Sequence, residues 1–296
     1  MNLMKLVVNK IVHLNPNRFS FISDKKYILL RFYDTFNRLM DFSDPKTFNE
    51  KLQWLKLYDR KPEYTKMVDK YKVREYISEK IGKEYLIPLL GVWDDPDDID
   101  FDTLPNEFVL KCNHNSGLGM CICKDKNNLD IQKVKIELKK GLKEDYYLSG
   151  REWPYKNVPR KIICEEYLGE NPNDYKFFCF NGKVEYILVC SDRFESIKET
   201  FFDMNWNVAP FKRPNIEIDD KIKIPINFNK MIELSEFLSK DIPFLRVDFY
   251  EVDNKIYFGE LTFFPASGFS GFEPEGWDYK LGELIELPEN KNNKEG

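Results

Sequence analysis

The segment Phe244–Phe264, FLRVDFYEVDNKIYFGELTFF, reads as two strands, 244–252 and 256–264, on either side of Asp253-Asn254. Side chains alternate across a strand, so Arg246 and Asp248 share one face while Leu245, Val247 and Phe249 share the other. In the second strand Glu260 and Thr262 share a face, opposite Gly259 and Leu261. Charges set among Tyr250, Phe258 and Phe264 are not those of an ordinary solvated edge. The plain alternative is an exposed salt bridge of Arg246 with Asp248 or Glu260, worth about 0.2–1 kcal/mol. The preferred reading is two carboxylates converging on a hard, oxygen-ligated cation such as Mg2+, with Arg246 beside it for phosphate charge.

That reading sets a geometric condition. A two-residue turn at Asp253-Asn254 pairs Val252 with Lys255 and puts Asp248 and Glu260 on opposite faces. A loop of odd length puts them on one face. A shared metal therefore predicts the odd loop, although Asp-Asn by itself favours the two-residue one.

Working outward, Asn181-Gly182 between 175–180 and 183–189 is a strong hairpin signal. Asp174 and Lys176 share one face there, as a local ion pair or as a basic contact to a ligand. Lys161–Leu168 (KIICEEYL) is a strand closed by Glu165, Glu166, Tyr167 and Leu168. Its carboxylates are either simply solvated or part of a strand that holds a base and ribose. Phe108–Cys112 reads as a buried strand carrying Lys111, and the glycine loop Asn113–Gly119 (NHNSGLG) follows it. Such a loop can fold its N–H groups over phosphates. It is neither GxxxxGK[ST] nor GxGxxG, and an ordinary hairpin loop is the alternative.

Helical spacing dominates the first hundred residues. Thr47 with Glu50 forms a capping box ahead of Phe48, Leu52 and Leu55. One helix is predicted over 64–81, with Val73, Ile77 and Ile81 on a stripe and Gly82 as its stop. Further helices are marked by Val134, Leu138 and Leu142, and by Met231, Leu234 and Leu238. The acidic run Trp93–Asp102 (WDDPDDIDFD) reads as a solvated loop rather than a metal cluster. Helices and strands in this order predict an α+β protein, not a doubly wound parallel sheet.

With 296 residues, 42% of them hydrophobic and 32% charged, the chain is globular and long enough for about two domains. A net charge of −5 argues against a nucleic-acid partner, because no cationic excess exists to displace counterions. No apolar run is long enough for a transmembrane helix. Met1–Leu14, broken by Lys5 and Lys10 and without a small-residue cleavage site, is not expected to be a secretory signal. Its Val7, Ile11 and Leu14 are expected to pack within the fold, a partner or membrane surface being the alternative. Cys112, Cys121, Cys123, Cys164, Cys179 and Cys190 lack zinc spacing and predict reduced thiols in a cytoplasmic protein. Only His13 and His114 are present, neither near a GxSxG-type turn, so zinc and Ser-His-Asp chemistries drop away.

Five stretches resemble the ATP-grasp superfamily, and within it the TupA-like proteins of bacterial surface-polysaccharide gene clusters. They are PKTFNEKLQWLKL (45–57), VDKYKVREYI (68–77), FVLKCNHNSG (108–117), DYKFFCFNGK (174–183) and RVDFYEVDNKIYFGELTFFPASGF (246–269). The resemblance runs from about residue 40 to about residue 282. It implies an ATP-grasp fold with a nucleotide between two α+β lobes: a helical region over 1–100, a first lobe over 101–168, and a second lobe with the metal site over 169–296.

The resemblance further implies ATP and Mg2+ as cofactors and an ADP-forming carboxylate–amine ligase that works through an acyl phosphate. By position, Lys111 contacts the phosphates and Asn115, Ser116, Gly117 and Gly119 cover them. Glu165, Glu166, Tyr167 and Leu168 meet adenine and ribose, with Asp174 and Lys176 as further nucleotide contacts. Asp248 and Glu260 ligate the metal, and Arg246 stabilises the transferring phosphoryl group. Thr262 stands where the superfamily's common pattern has Asn, a departure that bears on a second metal ion. The implied substrates are a carboxylate of a uronic acid or acidic peptide, free or polysaccharide-linked, and an amine. Arg151, Arg160, Lys161 and Arg193 are candidates for the acidic substrate, and Trp153, Trp206 and Trp277 for stacking on a sugar, core packing being the alternative. Other readings are an ATP-dependent sugar or small-molecule kinase, a glycosyltransferase, and a non-catalytic binder.

Overall fold

The computed structural model describes residues 20–170, 172–191 and 197–289. Val7, Ile11, Leu14, His13 and Arg193, together with any signal segment, lie outside the described residues. Among the described residues no helix is long and apolar enough to cross a membrane.

Helices α1 (Asp24–Phe36) and α2 (Phe48–Tyr58) come first. The capping box forms: Thr47 Oγ1 accepts from the Glu50 amide at 3.2 Å, and the Thr47 amide donates to Glu50 Oε2 at 3.0 Å. The helix predicted over 64–81 is two helices, α3 (Glu63–Val68) and α4 (Val73–Lys80). Asp69 breaks it, because its Oδ1 accepts from the amides of Tyr71 and Lys72 at 2.9 and 3.3 Å and from Asn113 Nδ2 at 2.7 Å. A short carboxylate offers the backbone a bond outside the helix, and spacing of apolar residues does not report it.

The chain then forms β1 (Leu89–Trp93), β2 (Phe108–Cys112), β3 (Met120–Cys123), α5 (Ile131–Lys143), α6 (Tyr146–Gly150) and β4 (Ile162–Glu166). The four strands make an antiparallel sheet in the order β1-β4-β2-β3. β1 lies inside the stretch read as helical. Its core, Phe101, Phe108, Leu110, Val134, Leu138 and Ile162 among others, is separate from the main one. The acidic run after Trp93 folds into two short turns in which Asp95 and Asp100 accept from backbone amides.

A second antiparallel sheet holds β5 (Asp174–Phe180), β6 (Lys183–Ser191), β7 (Lys198–Phe202), β8 (Phe244–Val252) and β9 (Lys255–Thr262), in the order β7-β6-β5-β8-β9. Helix α7 (Phe228–Leu238) lies between β7 and β8 in sequence, and α8 (Gly276–Glu283) follows β9. The α+β expectation holds, and Asn181 and Gly182 make the tight hairpin turn at φ 49° and 83°.

The odd loop does not occur. Val252 pairs with Lys255, so Asp253-Asn254 is a two-residue turn with both residues at positive φ, 50° and 61°. Parity is restored inside the strand. Phe249 faces Phe258, the register then slips by one residue, and Asp248 faces Glu260. Gly259 is the extra residue of this β-bulge. A side chain there would meet the Asp248 carbonyl at 3.1 Å and the Tyr250 ring at 3.2 Å, which glycine avoids.

All three candidate stacking tryptophans pack inward. Trp206 lies parallel to Phe202 at 4.5 Å, Trp277 stacks on Phe211 at 4.7 Å, and Trp153 sits 6.1 Å from Tyr64. Every cysteine is a free thiol, and burial pushes Cys164, Cys179 and Cys190 up to about 12.

Candidate functional site

The bulge brings Arg246, Asp248, Glu260 and Thr262 onto one face of the large sheet. Arg246 Nε donates to Asp248 Oδ1 at 2.7 Å, and its Nη2 donates to Asp248 Oδ2 at 2.6 Å and Glu260 Oε1 at 2.9 Å. Thr262 Oγ1 donates to Glu260 Oε1 at 3.0 Å. Across β5, Lys176 faces Asp248 in register, and its Nζ lies 2.6 Å from both Asp174 Oδ2 and Asp248 Oδ2. Asp174 and Lys176 thus form the local ion pair weighed for them, and through Asp248 that pair is linked to Arg246.

Asp248 is 1% exposed. Burial opposes the charge on Lys176, yet Asp174 and Asp248 hold its pKa above the ordinary lysine value. Partial burial likewise opposes the charge on Glu260, but Lys70, Arg246 and Lys176 hold its carboxyl down to about 2. Burial pushes the Asp248 carboxyl up instead, against the pull of Arg246 and Lys176.

The small sheet supplies the facing wall. Lys111 Nζ lies 2.6 Å from Glu165 Oε2, and Arg74 Nη1 lies 3.1 Å from Glu165 Oε1. Arg74 Nη2 also donates to the Ile87 carbonyl at 2.8 Å. Glu165 is buried and Glu166 exposed, with Tyr167 and Leu168 half-buried. The loop Asn113–Gly119 is a hairpin loop between β2 and β3, as the plain alternative had it. Its first residues are anchored: His114 Nε2 meets the Glu144 carbonyl at 3.2 Å, and Asn115 Nδ2 donates to Glu144 Oε2 at 2.9 Å. Ser116 and Gly117 form an exposed tip, and Gly119 is pressed so close to Gly141 that a Cβ would meet the Gly141 Cα at 2.9 Å.

Lys70 joins the two walls, and motif reading missed it. The break at Asp69 turns its Nζ onto the Asn115 carbonyl at 2.5 Å. Burial lowers its pKa, against the pull of the nearby Glu260, Glu165 and Asp69. The sequence signal available was a short carboxylate in the middle of a helical pattern. Glu260 and Arg246 are also among the charges that perturb the phenols of Tyr146 and Tyr155.

Other candidates fall elsewhere. Arg151 is buried against the Tyr27 ring at 4.5 Å, Arg160 donates to the Leu142 carbonyl at 2.9 Å, and Lys161 pairs with Asp94 at 2.6 Å. No group of three or more His, Cys, Asp or Glu that could hold a metal occurs among the described residues. Asp248 and Glu260, with the Thr262 hydroxyl, are hard oxygen donors on one face. That set suits Mg2+, which is commonly held by one or two carboxylates together with substrate phosphates.

Three solved structures illustrate what the chain is similar to. D-alanine–D-alanine ligase from Bacillus anthracis, complexed with ATP, is 17% identical over 74% of this chain and 63% of its own, at a TM-score of 0.44. The Helicobacter pylori D-alanine–D-alanine ligase is 14% identical over 81% and 69%, at 0.44. N5-carboxyaminoimidazole synthetase from Staphylococcus aureus is 13% identical over 67% and 44%, at 0.39. The chain thus spans a little under two thirds of the first ligase and under half of the synthetase. No curated protein matches it. The sequence model described as TupA-like ATP-grasp matches residues 50–286, which takes in both sheets and every site residue above. By that match the chain belongs to the TupA-like ATP-grasp family.

Proposed function

We propose that this chain is an ATP-dependent, ADP-forming ligase that joins a carboxylate to an amine through an acyl phosphate. The carboxylate is that of a uronic acid or acidic peptide of a bacterial surface polysaccharide, and the amine is an amino acid or small amine. The work takes place in the cytoplasm, on soluble or membrane-linked precursors. The observation that carries the reading is Asp248 opposed to Glu260 on one sheet face, with Arg246 bonded to both.

In such a reaction a carboxylate oxygen attacks the terminal phosphorus of ATP, and ADP leaves. The amine nitrogen then attacks the acyl carbon, and phosphate leaves with the electron pair of the broken C–O bond. Little bond-making falls to the protein, so positioning and charge neutralisation do most of the work. Lys70, Lys111 and Lys176 bind phosphate charge from both walls, and Arg246 stabilises the phosphoryl group in transfer. Glu165–Leu168 receive adenine and ribose, and Asn115, Ser116, Gly117 and Gly119 cover the phosphates. Mg2+, held by Asp248 and Glu260 with Thr262 beside them, would supply further neutralisation of phosphate charge.

The test combines Mg-ATP, a pool of uronic acids and oligosaccharides, and a pool of amino acids and small amines, resolving ADP, AMP and new masses together. ADP formed only with both pools present, with a product mass of acid plus amine minus water, is the expected result. ADP formed without amine would make the protein a kinase. No turnover together with no ATP binding would overturn the reading.

A further inference from the structure

Helix α2 turns its two sides to different surroundings. At about 100° per residue, Gln53 and Lys56 fall on one side and Lys51, Trp54 and Tyr58 on the other. Gln53 and Lys56 donate to the Ser267 carbonyl at 3.0 and 2.6 Å, in the turn that follows β9 and its metal-site residues. Lys51, Trp54 and Tyr58 instead line a cavity of about 680 Å³, together with Lys25 of α1, Lys46 just ahead of α2, and Tyr279 of α8. That volume is ordinary for a small-ligand site. None of these six residues takes part in phosphoryl transfer as described above.

The cavity has an aromatic wall. Phe42, which also lines it, stands edge-on to Tyr58 at 6.2 Å and 83°, and Tyr58 tilts at 51° to Trp54 at 5.0 Å. Rings at such angles leave no parallel slot for a flat heterocycle, whereas a saturated ring, with C–H bonds on its faces, packs against them. Neither the Tyr58 nor the Tyr279 hydroxyl is bonded to a described residue, so both remain for a ligand's hydroxyl groups. The charged groups are three lysines and two carboxylates, Asp44 and Glu283. Lys46 and Asp44 pair at 2.5 Å. Lys25 lies over the Phe42 ring at 5.4 Å, and Lys51 Nζ donates to the Ile285 carbonyl at 2.7 Å. Among the described residues neither has a carboxylate within 4 Å, which leaves Lys51 two N–H bonds to give. Burial foremost, then Lys46, lowers the Lys51 pKa, against the pull of Glu283 and Asp44. An anion bound here would relieve that cost.

We propose that this cavity is a second binding site, on the far side of α2 from the turn after β9, and that it takes an acidic saccharide. A sugar ring packs against the wall of Phe42, Tyr58 and Trp54, and its carboxylate pairs with Lys51 and Lys25. Such a site holds one part of a saccharide chain while another residue of the chain reacts beside Asp248 and Glu260. That role rests on the ligase reading; the binding itself does not.

Saturation-transfer NMR on the full chain, with trigalacturonate as probe and maltotriose as the uncharged control of equal ring number, tests the site. Saturable transfer to trigalacturonate is expected, with at least tenfold weaker binding of maltotriose. Lys51→Met, which keeps the apolar stem, is expected to weaken trigalacturonate at least tenfold while calorimetric binding of Mg-ATP stays unchanged. Should that variant fail to fold, Lys25→Ala, at an exposed position of α1, is read the same way and is expected to cost severalfold. No saturable trigalacturonate signal, or one unchanged in the folded variants, would overturn the proposal. So would a signal lost in Arg246→Gln but kept in Lys51→Met, which would put the saccharide at the phosphoryl-transfer site. Displacement by inorganic phosphate at equal concentration would overturn it too, by showing that the sugar ring contributes nothing. Trigalacturonate binding without Mg-ATP binding would sink the ligase reading and leave the site standing.

Discussion

Asp248 is gripped from two sides, by the Arg246 guanidinium through two parallel bonds and by Lys176 at 2.6 Å. Asp248→Asn removes the charge these two buried cations share. Breaking such a pair costs on the order of 3 kcal/mol, so a lower urea midpoint is expected together with a roughly 10²–10³-fold loss of ADP release. His114 permits a prediction of a different kind. Burial pushes its imidazole down to about 4 from 6.5, against the bond to the Glu144 carbonyl. The unfolded chain takes up this proton as pH falls through about 6.5, while the folded chain resists until about 4. Stability is therefore complete above that upper value and declines through the window as the solution is acidified. Urea midpoints measured from pH 7.5 to 5 should show this slope, and His114→Gln should flatten it.

At the scale of elements, the hairpin β8–β9 gains its functional register from one glycine. Gly259→Val forces a branched side chain against the Asp248 carbonyl and the Tyr250 ring. A destabilisation of about 1–3 kcal/mol is expected from such crowding, with loss of Mg-ATP binding as Glu260 moves off Asp248. Deleting Gly259 is expected to be the milder change, since Phe258 still meets Phe249 and Glu260 still meets Asp248. Thermal melts of both variants check the order.

This hairpin also marks where reading residues reached its limit. Alternation put Arg246 with Asp248 and Glu260 with Thr262 on shared faces, and the demand that the two carboxylates meet was met. The device was misplaced, because a bulge leaves no trace in alternation beyond an unremarked glycine. The capping box at Thr47 and the turn at Asn181-Gly182 were legible because each is decided within four residues. The break at Asp69 was legible only in part: its bonds to the Tyr71 and Lys72 amides are local, but its hold on Asn113 lies more than forty positions away. Lys70 was missed with it. The tryptophans and Arg151 were ambiguous for a related reason: residue type alone does not separate a wall of the core from a wall of a site.

For the molecule as a whole, Lys70 ties the helical segment to the loop of the small sheet, and Glu260 of the large sheet is among the charges that act on it. Lys70→Ala is expected to weaken Mg-ATP binding at least tenfold, read by calorimetry. In the unaltered chain a saturating ligand near a hundred times its Kd adds about 2.7 kcal/mol to the folded state. For a protein of this size that corresponds to a rise in Tm of about 4–5 °C, measurable by differential scanning fluorimetry.

The pairing of Lys111 with Glu165, and of Lys176 and Arg246 with Asp248, has a consequence for how quickly a ligand arrives. Each of these cations already faces a carboxylate, and the chain as a whole is anionic at −5. An approaching polyphosphate therefore meets little long-range attraction, and its charge is recognised only once it exchanges partners at close contact. Encounter is governed by diffusion and by the opening of local ion pairs rather than by a guiding field. Stopped-flow association rates for Mg-ATP should accordingly change little between about 20 mM and 200 mM salt, a range over which a steered encounter would slow severalfold.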